Sequence, residues 1–169
     1  MIYIPTLTNR LRRGIDRDYD NILYSPNPNI TKKYKAKNIT IWDNYTFYLL
    51  KHLKHPNKQE IAYQHYIWFI EYVKSNWEEG ITVITPDVDW HNKQKEIEQM
   101  WLDNCAYFPQ LYVVNTWQSD IKKLNIVGYA LRLNSNYEVQ HTEWTHCLGH
   151  IRNNINSKLL TYDSISAKF

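Results

Sequence analysis

Apolar residues along this chain fall into short runs of two kinds, set between polar stretches. Eight runs have the length and β-branched or aromatic character of strands: Tyr3 to Leu7, Ile22 to Ser25, Ile39 to Asp43, Ile81 to Pro86, Leu111 to Asn115, Val127 to Leu133, His146 to Leu148 and Leu159 to Tyr162. Several, such as ITVIT and LYVV, are almost continuously apolar, the pattern of strands covered on both faces, which predicts a parallel sheet. The second kind repeats at helical spacing. Within Ile61 to Trp77, residues Tyr66, Ile70, Val73 and Trp77 share one face. From about His91 to Phe108, the stripe Ile97, Trp101, Cys105 and Phe108 faces a core, Lys93, Lys95, Glu96 and Glu98 are assigned to water, and Pro109 stops the helix. Gln118 to Leu124 and Arg152 to Ser157 suit helices of two turns or less, and the Asn- and Pro-rich Ser25 to Lys35 reads as a loop.

Alternating strands and helices predict an α/β fold, and eight strands with crossover helices predict a compact (β/α)8 TIM-like barrel formed by one domain over residues 1–169. The chain allows only about 21 residues per βα unit, fewer than such barrels usually use. A truncated or open barrel, or an open α/β sheet with some short strands demoted to loops, is the alternative.

Composition narrows the function classes. Hydrophobic residues make up 43% and aromatic residues 15%, enough for a core, and the mean hydropathy of −0.61 with strand-sized apolar runs predicts neither a membrane span nor a signal peptide. A cytoplasmic location is expected. Two cysteines, Cys105 and Cys147, cannot build a disulfide framework and read as small buried hydrophobes. A net charge of +3 does not demand a nucleic-acid partner, although local basic patches exist. No G-x-x-x-x-G-K, G-x-G-x-x-G or G-x-S-x-G segment occurs, so P-loop, dinucleotide and hydrolase-elbow chemistry lack a motif, and no cofactor is expected.

Candidate chemistry lies in three carboxylates at the C-terminal ends of strand candidates: Asp43 after ITIW, Asp87 after ITVITP and Asp163 after LLTY. In α/β folds that edge gathers loops and binds ligands, so the three positions agree with one site. Taken singly, each Asp is equally well read as the start of a turn or the cap of a helix.

ITIWDNYTF, ITVITPDVDW, LYVVNTW, VGYALRL and HCLGHIRNNINSKLLTYDSIS resemble, in order and spacing, the motifs of the tRNA-guanine transglycosylase superfamily over roughly residues 39–166, especially its shorter members that insert 7-deazaguanines into DNA. The resemblance implies a pentosyltransferase that exchanges guanine in nucleic acid for a 7-deazaguanine through a covalent aspartyl-glycosyl intermediate. By position it makes Asp163 the nucleophile, Asp43 the general acid/base and Asp87, with Asp89 as substitute, the carboxylate that reads guanine. These roles suit the residue type. A carboxylate can hold a sugar covalently, a buried carboxylic acid can protonate a leaving base, and one ionised carboxylate accepts both N1–H and N2–H of guanine. Asn115, where the family has Gln, would donate to the base carbonyl or, alternatively, cap the helix region that follows. The backbone of Ala130 and Leu131 would border the base, and Tyr45, Phe47 and Trp117 are stacking candidates.

Two departures stand out: Asn44-Tyr45-Thr46 lacks the family's glycine after the acid/base Asp, and Thr116 replaces a glycine after Asn115. The Cys-rich zinc module of tRNA-acting members is missing, which favours DNA over tRNA. The early end after Asp163 leaves a face of the barrel to be covered by the N-terminus, a partner protein or a second copy in a homodimer.

Arg12 and Arg13 in RLRRGIDR, with Lys32 and Lys33 beside Tyr34, are the phosphate-gripping candidates, a solvated face being the plainer explanation. His141, Glu143, His146, Cys147 and His150 invite a metal reading, but Gly149 and the strand character of HCLG argue against ligand geometry, and turn, core and loop roles are assigned instead. The alternative functions are a non-catalytic nucleic-acid or purine-binding relative, and an N-glycosidase or nucleoside transferase using the same carboxylates. Richness in Asn, Lys, Ile and Tyr suits an AT-rich genome such as that of a virus or mobile element.

Overall fold

A computed structural model describes residues 1–7, 20–29, 35–87, 92–114, 116–132, 143–150 and 155–163 of the protein. Its strands are β1 (Ile2–Tyr3), β2 (Thr6–Leu7), β3 (Asn21–Tyr24), β4 (Ile39–Trp42), β5 (Ile81–Ile84), β6 (Gln110–Val113), β7 (Ile126–Leu131), β8 (Trp144–Cys147) and β9 (Leu159–Tyr162), and its helices are α1 (Thr46–His52), α2 (Lys58–Asn76) and α3 (Gln94–Cys105). All pairings are parallel, in the order β1-β9-β8-β7-β6-β5-β4-β3-β2.

The two ends of that order, β1 and β2, are separated in the chain only by Ile4 and Pro5. The Ile4 N–H donates to the Tyr162 carbonyl at 2.8 Å, while the Pro5 carbonyl accepts from the Leu23 N–H at 2.9 Å. One N-terminal strand therefore serves both edges, and Pro5, which has no N–H to give, falls where the strand changes partner. The result is the expected small α/β TIM-like barrel, with the first predicted strand split in two.

Strand periodicity divides the side chains between two cores. Ile4, Leu23, Ile41, Ile84, Leu111, Val113 and Ala130, contributed by five strands and the Ile4 junction, pack together inside the barrel. Ile22, Tyr24, Trp42, Ile81 and Val83 point outward onto Tyr66, Phe69, Ile70 and Val73 of α2 and Ile97, Trp101 and Cys105 of α3. Both faces being buried explains the unbroken apolar runs in the sequence. Each of these side chains, when wholly enclosed, contributes about 1.5–3 kcal/mol. At Gly128 of β7 a Cβ would lie 2.7 Å from the Trp144 carbonyl oxygen and 2.8 Å from Leu111 Cδ2, so only glycine fits between β6 and β8.

Two sequence expectations are corrected. Glu98 is fully buried rather than wet: its Oε1 accepts the Gln118 and Ser119 backbone N–H groups at 2.9 and 2.6 Å, clamping the loop after β6 to α3. Trp117, a stacking candidate, is buried in the outer core. Within Gln118 to Leu124 the expected short helix is a single 3-10 turn, Ile121–Lys123, capped by Asp120, whose carboxylate accepts the Lys122 N–H at 2.9 Å. Helix α1 carries no periodic signal in the sequence, because its apolar residues, Phe47, Tyr48, Leu49 and Leu50, form one unbroken run in a seven-residue helix. Asn44 starts it, its side-chain oxygen accepting the Thr46 N–H at 2.9 Å. No described helix is long and apolar enough to cross a membrane.

Candidate active site at the barrel mouth

Parallel strands direct all their C-terminal ends to one mouth, and Asp43, Asp87 and Asp163 arrive there from β4, β5 and β9. The sheet extends one residue past two of these strands, the Asp43 N–H bonding the Tyr24 carbonyl at 2.9 Å and the Asp163 N–H the Cys147 carbonyl at 3.3 Å. Both carboxylates thus leave a fixed backbone rather than a loose loop. Asn44 ties the first pair together: its backbone N–H donates to Asp43 Oδ1 at 2.8 Å and its side-chain amide to Asp87 Oδ1 at 3.0 Å.

Burial and neighbouring charge shift two of these carboxyls. Burial, followed by the negative charges of Asp87 and Asp163, pushes the Asp43 carboxyl well above the ordinary range, against the opposing Asn44 hydrogen bond. Burial also raises Asp87, but less, since the Asn44 amide and the Arg132 guanidinium favour its ionised form. The surroundings of Asp43 therefore favour its protonated form. Tyr66 beneath the site is raised well above its usual value by burial and then by Asp87, so it stays a neutral phenol.

Asp163, 4% exposed, is held by a group the sequence reading assigned to the core. His146 is completely buried, and its Nε2 lies 3.1 Å from Asp163 Oδ1, which also accepts the Gly149 N–H at 2.9 Å. His146 Nδ1 lies 2.9 Å from Thr161 Oγ1, and that oxygen accepts the Trp144 indole N–H at 2.7 Å. The hydroxyl proton of Thr161 is then available to Nδ1, which assigns the ring proton to Nε2, where it is donated to the carboxylate. Trp144, His146 and Thr161 therefore form a buried relay that orients Asp163. The signal was present in the sequence. His146 and Thr161 are register partners on neighbouring strands, and Asp163 lies two residues beyond Thr161 on the same face.

The remaining predicted residues divide. Tyr45 is half-buried with φ 65°, a left-handed conformation that costs a non-glycine residue about 1–2 kcal/mol. Its ring stacks on Tyr48 at 4.6 Å and meets His65 edge-on at 6.0 Å. Phe47 is exposed. Ala130 and Leu131 are fully buried, and their carbonyls accept the Val114 and Leu148 N–H groups at 3.1 and 2.9 Å. Asn115, Asp89, Arg12, Arg13, Lys32 and Lys33 lie outside the described residues.

Of the histidine-rich segment, His141 lies outside the described residues, Glu143 pairs with Lys158 at 2.9 Å, Cys147 is buried and His150 Nδ1 bonds the Leu148 carbonyl at 2.7 Å. Among the described residues no three His, Cys, Asp or Glu side chains converge as a metal-holding group. Cys105 is a buried thiol pushed up to about 12 by burial, inert as expected. No protein-family model, curated protein or solved structure matches the chain.

Proposed function

We propose that this protein is a guanine transglycosylase-like enzyme that replaces guanine in nucleic acid, DNA in preference to tRNA, with a 7-deazaguanine. The observation that carries the reading is the convergence of three strand-end carboxyls at one barrel mouth, two of them joined by Asn44. Burial and neighbouring charge favour a proton on Asp43, and Asp163 is oriented by His146 and the Gly149 N–H. The motif resemblance to the transglycosylase superfamily supplies the substrate class. Cys105, on α3, and Cys147, on β8, are both buried and unavailable for a Cys-rich zinc module, which supports DNA.

In the first half of the reaction, Asp163 attacks the anomeric carbon, its oxygen–carbon bond forms, and the bond to guanine N9 breaks with the electron pair leaving on the base. Asp43 delivers its proton to the departing guanine. In the second half, the incoming 7-deazaguanine loses its N9 proton to the Asp43 carboxylate, and N9 displaces Asp163 from the sugar. Both residues return to their starting states. Asp87 accepts N1–H and N2–H of the base, using capacity beyond the Asn44 bond, since an ionised carboxylate has about four acceptor sites.

The test is incorporation of labelled guanine or 7-deazaguanine into guanine-containing DNA and, separately, tRNA, by wild type and Asp163→Asn. Label entering DNA with wild type alone is expected. Release of guanine without label entry would assign the site to a hydrolytic N-glycosidase, and neither event, with guanine still bound, would assign it to a binding protein.

A further inference from the structure

The β4-to-β5 connection contains more than a crossover helix. His65, the eighth residue of α2, meets the Tyr45 ring edge-on at 6.0 Å, so this point of α2 is level with the barrel mouth. At 1.5 Å per residue, Lys58 stands about 10 Å further out. Between Lys51 and Ile61 every residue except the half-buried Leu53 is exposed. Helix α1 and the first two turns of α2 therefore project as a hairpin above the site.

Its surface has one chemistry. No carboxylate occurs between Asp43 and Glu60, whereas Lys51, His52, Lys54, His55 and Lys58 crowd the same stretch, and Glu60 is itself held by Lys93 at 3.3 Å. Aromatic rings lead from the site into this basic tip. Tyr45 stacks on Tyr48 with the planes 23° apart, and Tyr48 meets His52 at 4.5 Å. Phe47 and Tyr48 remain 47% and 43% exposed. Large exposed rings interleaved with lysines fit unstacked bases and their phosphates, whereas a duplex conceals its base faces.

We propose that the α1–α2 hairpin is a landing surface for single-stranded DNA, with bases on Phe47 and Tyr48 and phosphates at Lys51, Lys54 and Lys58, leading one nucleotide to the carboxylates. Delivery to the site rests on the base-exchange reading; binding does not. The test is fluorescence anisotropy with a labelled thymidine 12-mer, which contains no guanine to occupy the mouth. Binding should weaken with salt. Three phosphate contacts contribute about −2 to the slope of log affinity against log salt, and this contribution should vanish in Lys51→Ala/Lys54→Ala/Lys58→Ala. Phe47→Ala/Tyr48→Ala should weaken binding roughly tenfold or more. All five positions are exposed, and unchanged thermal melting verifies that the variants fold.

Absence of wild-type binding, equal binding by both variants, or equal dependence on these residues with duplex DNA or single-stranded RNA would overturn the proposal. Residue-dependent binding without label exchange would instead sink base exchange and leave the surface standing; exchange with variant-insensitive binding would do the reverse.

Discussion

Breaking the His146–Asp163 contact is the sharpest test of the site's construction. His146→Ala leaves a carboxylate that is 4% exposed with the Gly149 N–H but without the imidazole donor. A hydrogen bond to a charged group contributes about 1.5–3 kcal/mol, and the lost ring adds a cavity cost. A domain of this kind has roughly 5–15 kcal/mol in hand, so the variant should still fold. The cavity cost is separated from the contact by a double-mutant cycle of His146→Ala, Asp163→Ala and the pair, followed by urea unfolding of the intrinsic fluorescence of the seven tryptophans. The expected interaction energy is about 1.5–3 kcal/mol at neutral pH. A value under about 0.5 kcal/mol would refute the claim that the histidine holds the carboxylate. In the exchange assay, His146→Ala should lower kcat with little change in the binding of guanine, as befits a residue that acts through Asp163.

Asp43 has a folded-state pKa above its unfolded one, so its contribution to stability is present at low pH and declines as pH rises from the ordinary carboxylate range through the raised value. Asp43→Asn should therefore be more stable than wild type at alkaline pH, with the difference shrinking on acidification, as read by urea midpoints across pH; base exchange by wild type should fail on the alkaline side for the same reason. Gly128→Ala forces a methyl against the Trp144 carbonyl and should cost about 1–3 kcal/mol, lowering Tm by several degrees. Both thiols should resist a water-soluble disulfide reagent in the native protein and react fully after denaturation.

Much of the barrel was legible because its strands are buried on both faces: LLTY was placed to the residue at Leu159–Tyr162, and ITVIT and LYVV lie within a residue or two of β5 and β6. The helices α2 and α3 announced themselves through Tyr66, Ile70, Val73, Ile97 and Trp101. Misreadings occurred where a polar group has an interior partner. Glu98 looked solvated beside Lys95 because charge favours water, yet two backbone donors hold it inside. His146 looked like core because its partner is 17 residues away on another strand. The positions of Asp43, Asp87 and Asp163 were readable from strand ends alone, but the unequal upward shifts of Asp43 and Asp87 depend on Asn44, Arg132 and neighbouring carboxylates across the mouth.

The shared N-terminal strand also bears on how the barrel closes. Ile2 pairs with Thr161 and Thr6 with Leu23, so one two-residue junction joins a short-range pairing to one that spans most of the sequence. Distant pairings are entropically slower to find than near ones. His146, Thr161 and Asp163 meet across β8 and β9 at separations of 15 and 17 residues, so the relay itself needs no long-range contact. The β1–β9 seam adds a second neighbour to the strand that leads to Asp163, with the Ile4 N–H on the Tyr162 carbonyl. Opening the seam would leave β9 paired with β8 alone, whereas closing it holds that strand from both sides.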